Sequence, residues 1–345
     1  MSQPSLKLTM IGPSGTGKSC YLYATYFRML EGVAGFNFNC KDFNQGLDLQ
    51  DAWDMMLDEG VWPGGNTEST NFDFTCFCRG RSIGDFEWLD YRGGVLKERE
   101  EKDNDVAKFI QRAQNSDALL VSLPADLILA ADSDDLKTKN KWRSVKTRVL
   151  ALLGKAFEQN PDTALIFLIT KNDLCHSSEE GVFCVREIKT AFARYFQGTP
   201  EHVMIAATRL GRFEGEGDAF QQGAKIEGNV DPKNVHLPIL FPFYLHAIAA
   251  AQEFEEKAEN AKNERYDYAQ RAQVERGKSF WGKLWNGDSS EYYDECAANS
   301  AEVAKNYEKK ANELNAVADE IWSEFNGSVD IFYQGRCVMN ASGVH

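Results

Sequence analysis

Apolar positions along the chain first gather in a short run, Leu6-Lys7-Leu8-Thr9-Met10-Ile11, which reads as a strand. A helical pattern then runs from Tyr21 to Leu30 and ends near Gly32. Residues of about 33 to 70, with Gly35, Gly46, Pro63, Gly64 and Gly65, read as irregular. Phe72–Cys78 and Asp85–Asp90 alternate apolar and polar residues around Gly80-Arg81-Ser82-Ile83-Gly84, which predicts an antiparallel hairpin. Beyond it come a buried strand at Ala118–Leu123, a long helix at Leu136–Glu158 and a second buried strand at Thr163–Thr170. A helix at Glu179–Phe196 and a strand at His202–Ala207 continue the series. Such alternation predicts an α/β protein, a mostly parallel sheet with helices on both faces. A glycine-rich insertion follows at about 210–235, carrying Gly211, Gly215, Gly217, Gly223 and Gly228.

The pattern changes after Pro242. Ala247, Ala251, Phe254, Ala258, Ala261, Tyr268 and Ala272 recur at 4-3 spacing, broken at Arg265, and Gly277 stands where a helix stops. A second run carries Ala297, Ala301, Ala304, Ala311, Leu314, Ala318, Ile321 and Phe325, with Asp288 and Glu291 resembling a capping box. Together they predict a long antiparallel helical hairpin with arms of about 50 Å. Val329–Val338 reads as a terminal strand. The expected division is 1–245, 246–326 with an aromatic tip at 278–287, and 327–345.

Composition narrows the class. The 345 residues are 43% hydrophobic and 26% charged, as in ordinary globular proteins. A formal charge of −14, from 52 acidic and 38 basic residues, disfavours a general nucleic-acid binder. Residues 1–5 carry neither a basic nor an apolar leader, and no uninterrupted apolar stretch is long enough to span a bilayer. The eight cysteines have no framework of spacings, and Cys76 and Cys78 lack a second ligand pair at zinc-site spacing. A reduced, cytoplasmic protein is expected.

Three segments carry chemistry. Gly12-Pro13-Ser14-Gly15-Thr16-Gly17-Lys18-Ser19 satisfies G-x-x-x-x-G-K-[ST] between a strand and a helix. Its glycines let backbone N–H groups turn inward around phosphate oxygens, and the helix N-terminus adds its positive end. Lys18 can reach the β- and γ-phosphates, and the Ser19 hydroxyl can ligate Mg²⁺. In Asp90-Tyr91-Arg92-Gly93, Asp90 can hold Mg²⁺ through water and the Gly93 N–H can sense a γ-phosphate. In Thr170-Lys171-Asn172-Asp173, which fits [NT]-K-x-D, the Asp173 carboxylate can accept from guanine N1–H and the 2-amino group, a donor pair adenine lacks. The Lys171 stem can cover the base.

With these motifs in this order, residues 6 to about 255 resemble P-loop GTPases of the translation-factor and Ras-like (TRAFAC) class. The resemblance implies a mostly parallel six-stranded sheet with one antiparallel edge strand, bound GTP or GDP, and Mg²⁺. It assigns phosphate contacts to Gly12, Ser14, Gly15, Thr16, Gly17, Lys18, Ser19 and Cys20, and base contacts to Thr170, Lys171, Asp173, Ala207 and Thr208. The switch threonine that closes on Mg²⁺ is Thr67 or Thr70, a choice left open. More narrowly, Cys20-Tyr21-Leu22-Tyr23-Ala24 and Trp62-Pro63-Gly64-Gly65-Asn66-Thr67 are similar to bacterial double-GTPase-like proteins of conflict and defence gene clusters. That likeness implies protein partners encoded nearby.

One position departs from the pattern. Gly94 stands where many relatives place the glutamine that orients the attacking water. Either slow intrinsic hydrolysis is therefore expected, or catalytic groups supplied by a partner, a dimer or Arg92 in cis. The expected activity is a GTP-binding switch acting through its loops and helical hairpin. The alternatives are a scaffold holding GTP or GDP without turnover and, less favoured by Thr170–Asp173, a P-loop ATPase. At the tip, Phe280, Trp281, Leu284 and Trp285 among lysines could cap the hairpin, dock a partner or touch a membrane. No lipidation signal accompanies them.

Overall fold

The computed structural model describes residues 5–63, 69–90, 104–213, 224–278 and 289–341. The strands are β1 (Leu6–Ile11), β2 (Phe36–Cys40), β3 (Thr70–Cys78), β4 (Arg81–Asp90), β5 (Ala118–Pro124), β6 (Ala164–Thr170), β7 (His202–Ala207), β8 (Arg209–Phe213), β9 (Gly228–Lys233), β10 (Val329–Tyr333) and β11 (Arg336–Met339). The helices are α1 (Lys18–Glu31), α2 (Phe43–Asp58), α3 (Asn104–Gln114), α4 (Ala125–Leu129), α5 (Leu136–Phe157), α6 (Ser178–Ala191), α7 (Leu237–Gly277) and α8 (Ser290–Phe325).

Nine strands form one sheet in the order β11-β10-β7-β6-β5-β1-β4-β3-β2. β4, β1, β5, β6 and β7 run parallel, and the outer strands on both sides join antiparallel. The sheet is thus mixed α/β and mostly parallel at its centre, but wider than the six strands expected. Two additions account for the width. On one side the terminal segment is a hairpin, turning at Gln334–Gly335, whose β10 pairs with β7. On the other, β2 pairs with β3 in a region that reads as irregular in sequence.

The 33–70 region also holds α2. Its N-cap Asp42 accepts from the Asn44 and Gln45 N–H groups at 2.8 and 3.1 Å. Leu49, Trp53 and Met56 bury one helical stripe. The β3–β4 turn is Arg79–Gly80 (φ 48° and 77°), tighter than the five-residue turn expected. Two consecutive positive φ values fit the right-handed strand twist, so Arg81–Gly84 belongs to β4.

β5 and β6 are buried along their whole length, as strands covered on both faces must be. On one face Phe167 packs on Phe192 (centroids 4.7 Å) within a core that also takes Trp142 of α5 and Ile188 of α6. On the other, Tyr21 of α1 meets Trp88 at 5.7 Å, and Tyr26 meets Phe74 at 5.8 Å. Each such side chain contributes about 1.5–3 kcal/mol by burial. The glycine-rich insertion is an antiparallel ribbon of β8 and β9. Gly211 is required there, since a Cβ would lie 2.0 Å from the Asn229 oxygen.

The chain divides into two compact units, Met1–Pro242 with Glu324–His345, and Phe243–Ser323. In the second unit α7 and α8 run antiparallel: Phe254 meets Tyr307 at 5.9 Å, and Lys262 pairs with Glu308 at 2.9 Å. Arg276 pairs with Asp294 further along. The capping residue Asp288 and the tip at 279–287 lie outside the described residues. No described helix is long and apolar enough to cross a membrane.

Candidate functional site

The strand–loop–helix at Gly12–Ser19 forms at the C-terminal end of β1, in the middle of the sheet. Gly15 and Gly17 adopt φ of 82° and 81°, a conformation that side chains other than glycine rarely take. Gly12 is needed for space: an added Cβ would meet the Ser122 oxygen and Thr16 Oγ1, both at 2.9 Å. The loop is pinned from beneath, where Thr16 O accepts from Ser122 Oγ at 3.1 Å and from Thr170 Oγ1 at 2.6 Å. Thr16 Oγ1 in turn donates to Pro13 O at 3.0 Å.

Lys18 lies inside this loop, 7% exposed. Its Nζ donates to Gly12 O and Pro13 O, each at 2.9 Å. Burial pushes its pKa down to about 8, while the nearby Asp90 carboxylate opposes the shift. The Ser19 hydroxyl donates to Asp90 Oδ2 at 3.1 Å, so the end of β4 meets the start of α1. Asp90 is itself buried, 1% exposed. Thr70 stands opposite Asp90 in the β3–β4 ladder. Thr67, Arg92, Gly93 and Gly94 lie outside the described residues.

A second cluster forms where β6 and β7 end. Lys171 takes φ 52° and ψ 34°, left-handed for a residue with a side chain, and turns the chain into the 3-10 segment Asn172–Leu174. Thr208 N donates to Ile169 O at 2.9 Å and Asn172 N to Thr208 O at 3.3 Å, bringing Thr170–Asp173 beside Ala207–Thr208. Burial raises the Asp173 pKa above the usual carboxylate value, against backbone hydrogen bonds from Asp173 and Leu210 and the charges of Lys171 and Arg209. Asp173 Oδ1 and Asn172 Oδ1 are buried and make no hydrogen bond. Cys20 is close enough to feel both Lys171 and Asp90, and burial pushes its thiol up to about 12.

Beside this turn a cleft of about 310 Å³ is lined by Asn172, Ala207, Arg209, Lys233 and Asn234. Asn234 Nδ2 donates to Ala207 O at 3.4 Å. Sequence reasoning missed these later residues, and it missed Ser122. Ser122 had a signal: it is the one hydroxyl within the apolar strand ALLVSLP. Arg209, Lys233 and Asn234 had none, because only the pairing of β8 with β9 brings them to the turn.

Chemically, the first cluster offers an ammonium and a hydroxyl–carboxylate pair beside the loop. Those are the groups that hold a phosphate chain and a hard divalent cation. The second offers a buried carboxylate oxygen seeking donors. Fold and loop together define a mixed α/β protein with a glycine-rich strand-to-helix loop at Gly12–Ser19. No protein-family model matches the chain, and no curated protein matches it. Among solved structures it is similar to a chain of the signal recognition particle receptor SRb-GTP/SRX complex from Chaetomium thermophilum. The identity is 15% over 62% of this chain and 94% of that one, with a TM-score of 0.37.

Proposed function

We propose that the protein is a GTP-binding switch of the P-loop GTPase class with slow Mg²⁺-dependent hydrolysis. One observation carries the reading: a single sheet edge presents both the Lys18 loop and, 154 residues on from Thr16, Thr170, whose hydroxyl hydrogen-bonds that loop at 2.6 Å ahead of the Asp173 turn. Phosphate and base sites are therefore built on one framework. The Asp173 carboxylate accepts guanine N1–H and its 2-amino group, which satisfies the open Oδ1.

The residues present fit Mg²⁺, since the Ser19 hydroxyl and Asp90 carboxylate converge as hard oxygen donors at the loop. When bound, the cation neutralises charge on the β- and γ-phosphates. Lys18 exchanges its carbonyl partners for phosphate oxygens. Residues 60–70 and 90–100 respond to the nucleotide and, with the long helices, engage protein partners. Those partners are encoded by neighbouring genes, as the likeness to defence-cluster proteins implies.

Single-turnover assays with GTP and Mg²⁺ test the hydrolytic half. The reading expects slow phosphate release that an added partner or arginine donor accelerates. No release under any condition identifies a GTP- or GDP-bound scaffold instead.

A further inference from the structure

The β8–β9 ribbon does more than lie over the sheet. At its root, β8 starts at Arg209 directly after Thr208, whose carbonyl accepts from Asn172 N at 3.3 Å, one residue ahead of Asp173. At its far side it is stitched to the chain just ahead of Thr67 and Thr70. Trp62 N donates to Ala224 O at 3.0 Å, Ile226 N to Gly60 O at 2.6 Å, and Val61 pairs with Lys225. The Trp62 ring meets Phe213 edge-on at 4.9 Å.

One cluster joins the two ends. Trp62 packs with Trp53, Met56 and Ala24, and Leu210, Phe213 and Ile226 close over them. Leu210 thus stands two residues beyond Thr208, which is hydrogen-bonded to the Asp173 turn, and packs against the cluster built on Trp62. Packed clusters of this kind shift as units, because close-packed side chains cannot deform continuously.

We infer that Leu210 and Trp62 are positioning residues: Trp62 anchors the ribbon that orients Asp173, and an occupied base site in turn fixes the segment Gly60–Trp62. This rests on the guanine reading above. It adds a route by which the base, and not only the phosphates, is reported to the segment leading to the switch threonine.

The test is amide hydrogen exchange at Trp62 and Ile226 in the full chain, with Mg²⁺ and either GDP or excess inorganic pyrophosphate. Each N–H closes one rung between the ribbon and Gly60–Trp62, so its exchange reads local opening. GDP is expected to slow both amides by about tenfold, and pyrophosphate, which lacks a base, to leave them unchanged. Trp62→Ala should weaken GDP by about tenfold without weakening pyrophosphate, and Trp62→Phe should restore GDP affinity.

Equal slowing by both ligands overturns the inference, as does equal weakening of both in Trp62→Ala, which marks a merely structural residue. If Trp62→Ala fails to fold, the wild-type comparison of GDP with pyrophosphate decides alone. If GDP does not bind the wild-type chain, the guanine reading itself falls. That outcome is distinct from GDP binding without the exchange difference.

Discussion

Ser19 Oγ donates to Asp90 Oδ2 at 3.1 Å across 71 residues of sequence, joining the Gly12–Ser19 loop to the end of β4. The pair brings two motifs far apart in the chain into contact. Asp90→Asn removes the charge but keeps the shape. It is expected to lower Mg²⁺ affinity about 10–100-fold while GDP binding without Mg²⁺ changes little. Titrating Mg²⁺ against nucleotide-loaded protein measures it.

Lys18 has a pH signature. Its folded-state pKa of about 8 lies below the ordinary 10.5, so the unfolded chain binds more protons between those values. Stability from this group is therefore complete above about 10.5 and is lost as pH falls through about 8. At pH 7 Lys18→Met is expected to melt higher than wild type, with the gap closing toward pH 10. GDP affinity behaves oppositely: phosphates need the ammonium, so affinity should fall toward tenfold per pH unit above about pH 8. Lys18→Ala abolishes that dependence along with binding.

Gly12→Ala tests the fit of the loop against β5. Its Cβ would stand 2.9 Å from the Ser122 oxygen, which is backbone and cannot swing aside. A loss of about 1–3 kcal/mol in stability is expected by denaturant titration, with nucleotide binding lost as the loop is displaced.

Asp173→Asn turns an acceptor pair into an acceptor and a donor. GDP should weaken about 10–100-fold and xanthosine diphosphate should gain, measured by competition titration. Unchanged base preference would remove Asp173 from the base site.

Much of this arrangement was legible because its signals are local. The Gly12–Ser19 spacing names its own strand and helix, and buried strands such as Leu165–Ile169 are continuous apolar runs. The strand β2 was not legible, since its alternation is Phe36-Asn37-Phe38-Asn39, five residues between glycine and a polar turn. In α2 the signal existed: Asp42 as cap and Leu49, Trp53 and Met56 at helical spacing, obscured by Gly46 and scattered aspartates. Ser122 beneath the loop, and the ribbon root at Thr208 against the Asp173 turn, depend on sheet order and ribbon pairing, which no local pattern encodes. The strand β10 was visible as a strand, but its place between β7 and β11 is a tertiary fact.

The most direct measurement is an equilibrium titration of nucleotide-stripped protein with fluorescent GDP, GTP and ADP, each with and without Mg²⁺. The account predicts binding selective for guanine and tightened by Mg²⁺, lost in Lys18→Ala. Equal or adenine-preferring binding would show that Asp173 does not face the base, and the loop would then belong to an ATPase.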